Sequence, residues 1–225
     1  MTSLKDPYIS VASEGGESYG GRQQSSGDAV ISRCGCGVIA AADTLLYMCR
    51  RHEGCHIPEL AELSGETPLD RDRYYDFVKA LNRRYFPLLP PFGMNGLTLM
   101  CGMDRFFSRH SMPYAARWGI SREKLWDRLD EMLSSDIPAI LSVGPNFPLF
   151  WRGTQLSLYR PGGDGRYYKA AAAKGHYVVA TGLDKDRICI SSWGQRYYLD
   201  RLEYQRYADE SSTSVLSNLL YIYRK

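Results

Sequence analysis

A chain of 225 residues is long enough for one domain, or for one domain carrying an elaborated insertion. Charged residues make up 24% and the apolar set 44%, and 28 Lys+Arg against 25 Asp+Glu leave a formal charge of +3, a balance that points to no nucleic-acid partner. No run approaches the roughly 18 apolar residues of a membrane span, and Met1 to Gly21 lacks the apolar centre of a signal peptide, so a soluble, non-secreted, cytoplasmic protein without a membrane partner is expected.

Residues 1–28 are rich in Ser, Gly and Gln and show no sustained periodicity, which predicts a polar, extended or partly mobile arm ahead of a single domain over 29–225. A helix is predicted to start abruptly after Gly35-Cys36-Gly37. Val38, Ile39, Ala42, Leu45, Leu46 and Met48 form its stripe, and Gly54 is its stop. A second helix over about Leu69 to Arg84 buries Tyr74, Phe77, Val78 and Leu81. A third covers about Gly96 to His110, and a fourth begins at an N-cap Ser121 with the stripe Leu125, Leu129, Leu133. From Ile137 the period changes to that of strands: Pro138 to Val143, a hairpin (Leu156–Tyr159 and Arg166–Lys169) within an irregular aromatic insertion over 145–175, then His176–Leu183, Arg187–Ser191 and Tyr197–Leu199. A short helix over Asp200 to Tyr207 and a last strand, Leu216–Tyr223, complete the chain. Helices first and antiparallel strands after them make an α+β fold, with the helix that follows Gly35 packed on a C-terminal antiparallel sheet.

Six cysteines and four histidines limit where reactive chemistry can reside. Cys36 stands at the first turn of a helix, where unpaired backbone N–H groups and the positive dipole end favour the thiolate. Its flanking glycines let another backbone approach. His176 opens a strand, and a tight turn leads to Ile188-Cys189-Ile190-Ser191-Ser192-Trp193-Gly194, so the histidine lies beside Ser191 or Ser192. A base oriented by a third group is what a cysteine nucleophile requires.

In order along the chain these blocks resemble the papain-like cysteine peptidases, closest to the bacteriocin leader-processing (double-glycine) peptidases and their stand-alone bacterial relatives. The family's Cys-Gly-Pro-x-Ala appears as Cys36-Gly37-Val38-Ile39-Ala40. Its strand before the histidine appears as Ile137-Pro138-Ala139-Ile140-Leu141, its histidine block as Gly175 to Asp184, and the Asn-Ser-Trp-Gly of papain-type enzymes as Ser191-Ser192-Trp193-Gly194. The resemblance implies a papain-like fold and a cysteine peptidase-like thiol hydrolase acting on a peptide or small amide substrate, without a cofactor. Cys36 would be the nucleophile, His176 the base and Trp193 part of the substrate groove. The family's third member is Asn or Asp and here is serine. Counting back from Trp-Gly gives Ser191, whereas strand phase and counting forward from the histidine give Ser192, the preferred choice. The family's oxyanion glutamine has no counterpart six residues before the cysteine, and Gln23 and Gln24 reach the site only if the arm folds back; Gln24 is taken as the candidate.

Two other classes of reading compete with hydrolysis. One is a catalytically impaired, peptide-binding relative, and the other a thiol acyltransferase on the same nucleophile. Cys49, His52, Cys55 and His56 have the residue types of a zinc site, but their spacing is irregular and a metal is not expected.

Overall fold

The computed structural model describes residues 1–55 and 57–225. The chain begins with β1 (Thr2–Ser3), β2 (Ser10–Ser13) and β3 (Gly16–Tyr19), and continues through α1 (Ala29–Cys34), α2 (Cys36–Arg51), α3 (Pro58–Gly65), α4 (Arg71–Arg84) and α5 (Gly96–Arg109). There follow β4 (Tyr114–Trp118), α6 (Leu125–Ser134), β5 (Ala139–Val143), β6 (Leu156–Pro161), β7 (Tyr167–Ala173), β8 (His176–Leu183), β9 (Arg187–Ser192), β10 (Gln195–Asp200), α7 (Arg201–Glu210) and β11 (Leu219–Arg224). Among the described residues nine strands form one antiparallel sheet in the order β4-β11-β5-β8-β9-β10-β6-β7, with β1 added beside β8. The protein is therefore α+β.

Side-chain caps start several of the helices where short acceptors precede apolar periodicity. Asp28 accepts from the backbone N–H groups of Val30 and Ile31, Asp70 from Arg73, Asn95 from Thr98, and Asp200 from Leu202 and Glu203, at 2.8–3.0 Å. Ser121 makes no such bond. The chain there enters α6 through a 3₁₀ turn over Arg122–Lys124, so the helix begins three residues later than its candidate cap suggests.

At the centre of the sheet, all eight residues of β8 are buried, which is why the strand reads as an apolar run after its histidine, interrupted by Thr181. The α2 helix packs on β8 and β5, and Ala40, Ala41 and Ala42 permit the close approach. Each alanine loses little side-chain entropy there, and burial of the neighbouring Val38, Leu45 and Leu46 contributes about 1.5–3 kcal/mol per side chain.

The arm over 1–28, expected to be extended or partly mobile, contains extended strands and is folded onto the body. Thr2 and Ser3 pair with Leu183 and Gly182, Ser10–Ser13 pairs with Gly16–Tyr19, and Leu69 exchanges two backbone hydrogen bonds with Ser10 and Ala12. Tyr8, Ile9 and Val11 are buried. These apolar side chains amid polar neighbours anchor the segment, although the average composition of the stretch conceals them. The hydrophobic core that results is one cluster running from Tyr8 to Ile222. In the 145–175 region the β6–β7 hairpin extends the sheet through Tyr159, which pairs with Tyr198. Among the described residues no helix is long and apolar enough to cross a membrane.

Candidate active site

The α1 and α2 helices meet at Gly35, and a side chain there would sit 2.5 Å from the Ile31 carbonyl oxygen. This joint sets Cys36 at the first residue of α2, half-buried. A Cβ on Gly37 would lie 3.0 Å from the Met94 side chain and 3.1 Å from the Tyr177 ring, so the glycine lets the helix start nest between them. Burial raises the Cys36 thiol above its ordinary pKa, and backbone N–H groups of Tyr177 and Gly37 oppose that rise by donating toward the sulfur.

His176, the first residue of β8, pairs with Val143 across the sheet and is 8% exposed. Its Nε2 is 2.8 Å from the Ser192 Oγ. The register explains the contact. Val179 faces Ser191, so Ser192 falls one step further along, a diagonal neighbour of His176 on the same face of the sheet. With Ser192 accepting from a protonated Nε2, the Nδ1 lone pair is left to act as a base. Desolvation lowers the His176 pKa to about 4, so the imidazole is neutral at physiological pH.

The ring is clamped on its flat side by Trp193, with centroids 4.5 Å apart and planes inclined by 21°. Trp193 and Gly194 form the two-residue β9–β10 turn, and both have positive φ, +50° and +73°. This is the type I′ geometry that a tight hairpin favours. Glycine adopts it freely, whereas a tryptophan at φ +50° is strained by about 1–3 kcal/mol, the kind of local cost that a surrounding structure sustains at functional sites.

Cys36, His176, Ser191, Ser192 and Trp193 line one pocket, together with Gly21, Gln23 and Asp43. The free space inside is about 20 Å³, roughly the room of a single water. Any larger ligand therefore extends outside this pocket, over the surface. Ser191 contributes its backbone and wall, while its hydroxyl is committed to the Tyr19 carbonyl at 2.7 Å. It is Ser192, and not Ser191, that contacts the histidine.

The arm brings a glutamine to the pocket, but a different one from that expected. Gln24 is exposed, on the outside of the 3₁₀ turn Gln23–Ser25, and is absent from the pocket lining. Gln23 is buried and lines the pocket, its Nε2 donating to the Ser32 carbonyl at 3.0 Å. The folding of the arm, invisible in its composition, is what delivers it.

Asp43 is the least expected member of the pocket. It lies two turns after Cys36 on α2, 1% exposed, and desolvation raises its pKa to about 6. The only sequence signal is a carboxylate within the buried run Val38 to Met48, at a spacing that places it on the cysteine's face of the helix.

Cys49, His52 and Cys55 are not drawn together as a set of ligands. Both ring nitrogens of His52 are engaged, Nε2 with the Asp136 carbonyl at 2.9 Å and Nδ1 with the Tyr114 hydroxyl at 3.1 Å. His56 lies outside the described residues. Among the described residues no three His, Cys, Asp or Glu side chains are placed to hold a metal ion.

Comparison of the chain with protein-family models, with curated proteins and with solved structures returns no match. The functional reading of the site accordingly rests on its chemistry.

Proposed function

We propose that this protein is a papain-like thiol hydrolase that cleaves a peptide or small amide bond through a Cys36 thioester. The observation that carries the reading is the convergence of a helix-N-terminal cysteine and a strand-initial histidine on one pocket, with the histidine's Nε2 2.8 Å from the Ser192 Oγ.

In the first half of the reaction His176 Nδ1 takes the Cys36 proton as the sulfur attacks the carbonyl carbon. The C=O π electrons move to oxygen, which faces the α2 N-terminus, where the backbone N–H of Cys36 and the Gln23 amide are the nearby donors. Collapse of the tetrahedral species breaks the C–N bond, and the amine leaves with the proton that His176 carries. Water then attacks the thioester, gives its proton to His176, and releases the acid and the free thiol. An amine acceptor in place of water would make the same intermediate a transferase, so partitioning between water and added amines distinguishes the two outcomes.

An activated ester tests the reading without knowledge of the natural substrate. Incubation with p-nitrophenyl acetate should release p-nitrophenolate in a burst of one equivalent and add one acetyl group to Cys36, located by peptide mass mapping. Cys36→Ala should remove the burst. Acetylation of Cys36 no faster than in the urea-unfolded chain would refute the proposal.

Ser192 supplies orientation without a negative charge. Ser192→Ala removes the partner of a buried ring N–H, which costs about 1–3 kcal/mol for the unsatisfied group and frees the ring to adopt the wrong tautomer. The expected result is an acetylation rate roughly tenfold lower, with the native circular dichroism spectrum retained. An unchanged rate would show that the Trp193 stack alone holds the ring.

A further inference from the structure

Three hydrogen-bonded grips hold the segment that carries Gln23. The Gly21 N–H donates to both carboxylate oxygens of Asp43, at 3.0 and 3.2 Å. Tyr75 holds Arg22 on both sides, accepting from its N–H at 3.2 Å and donating to its carbonyl at 2.8 Å. Gln23 itself is bonded to Ser32. Asp43 is the centre of this arrangement, because it also accepts from Tyr74 at 2.6 Å and from Tyr8 at 3.4 Å, drawing α4 and the arm onto α2. There is no slack at this point. A Cβ on Gly21 would overlap the Tyr74 hydroxyl, at 1.9 Å, and one on Gly20 would meet Asp43 and Ser191 at 2.5 and 2.4 Å.

We propose that Asp43 is a positioning residue for the oxyanion side of the Cys36 pocket, its carboxylate fixing Gly21 so that Gln23 stays in place to donate to a developing oxyanion. This inference rests on the thiol-acylation reading above. Asp43 never touches the reacting atoms. It acts through the backbone of the arm, and it is the ionised form that serves, because only a carboxylate offers acceptors to Gly21, Tyr74 and Tyr8 at once. The titratable groups around it are Tyr8 from the arm, itself packed on Tyr19, Tyr74 and Tyr75 from α4, and, along the same pocket, Cys36 on its own helix and His176 from β8. Protonation of the buried acid places an O–H donor among these donors and loosens the grip on Gly21. Asparagine has the same defect in either orientation, since both oxygens of the native carboxylate face the Gly21 N–H.

Two reagents separate this role from a purely structural one. Acetylation of Cys36 by p-nitrophenyl acetate forms the S–C bond, develops an oxyanion and expels p-nitrophenolate. Alkylation by iodoacetamide displaces iodide and develops no oxyanion. In Asp43→Asn, measured at pH 7, acetylation of Cys36 should fall about tenfold or more while alkylation changes less than about twofold. In the unsubstituted protein the ratio of the two rates should fall as pH drops through about 6, and Asp43→Asn should lack that step. Gln23→Ala, which keeps the carboxylate, should show the same selective loss of acetylation, by up to roughly 10²–10³-fold. Equal losses in both reactions, an unchanged ratio in Asp43→Asn, or a Gln23→Ala variant that acetylates normally would each overturn the assignment. Absence of acetylation in the unsubstituted protein would instead remove the thiol-acylation reading itself, and this assignment with it.

Discussion

Alkylation of Cys36 by iodoacetamide should proceed at a nearly constant rate from about pH 5 to pH 8 and fall tenfold per unit as the pH drops below about 4. The shape follows from the protons that the pair carries. Burial lowers the His176 pKa to about 4 and raises the Cys36 thiol. Between those two limits the pair holds one proton in all, and moving it from sulfur to Nδ1 changes no net protonation, so pH has no hold on the rate. As pH falls through about 4 the imidazole takes a proton of its own before the thiol has given one up. The base is lost and the rate falls with it.

His176→Ala should abolish the level region. The rate then follows the thiolate fraction of a thiol lifted above its ordinary value, tenfold per pH unit, and at pH 6 about one chain in 10³ or fewer carries the reactive form. The expected loss at pH 6 is about 10²-fold or more, within the range that a positioned base contributes. Peptide mapping separates Cys36 from the exposed Cys101. A rate in the unsubstituted protein that climbs tenfold per unit throughout pH 5–8, or a level region that survives His176→Ala, would show that the two groups do not act together.

Much of this architecture is readable where one physical signal dominates. The α2, α4 and α5 helices announce themselves through 3.6-residue stripes, two of them with capping side chains at their starts, and β8 through a largely apolar run typical of a central strand. The signal fails where tertiary contacts do the ordering. Ile9 and Val11 are buried within a polar stretch, and β7 is largely alanine beyond Lys169, so the hairpin runs to Ala173, further than its propensities suggest. The strand over Tyr114–Trp118 is absent from the sequence reading for a similar reason. Its identity depends on pairing with β11 at the far end of the chain.

The site divides along the same line. Strand phase is a local rule with period two, and it selects Ser192 over Ser191 as the neighbour of His176. No comparable rule chooses between Gln23 and Gln24. Their directions are decided by a 3₁₀ turn whose position depends on how Asp43 and Tyr75 grip the residues before it. Asp43 itself is conspicuous in the sequence only as a carboxylate among apolar neighbours, and its partners come from an arm and a helix that local patterns cannot bring together.

Asp43→Asn and His176→Ala should tilt the pH dependence of stability in opposite directions. Asp43 has a folded-state pKa raised from 3.8 to about 6, so the native state holds a proton that the unfolded chain has released. Its contribution is fully present below about pH 3.8 and is lost as pH rises through 6. His176 has a folded-state pKa lowered from 6.5 to about 4, so the unfolded chain binds the extra proton. Its contribution is present above about pH 6.5 and is lost as pH falls through 4. Between pH 4 and 6 the two slopes have opposite signs and similar size, each shift of two units or slightly more corresponding to about 3 kcal/mol, so they largely cancel in the intact pocket. Urea unfolding between pH 4 and 7 should therefore show Asp43→Asn losing about 3 kcal/mol relative to the unsubstituted protein as the solution is acidified, and His176→Ala gaining a similar amount. Other titrating groups, such as the depressed carboxyl of Asp136, move all three profiles together and drop out of the differences. Parallel profiles would mean that neither group is buried as described. Opposite tilts would establish that this small cavity holds an acid and a base whose burial costs offset one another across the acidic range, which keeps the fold's stability nearly level while both groups stay in the protonation states that the proposed chemistry uses at neutral pH.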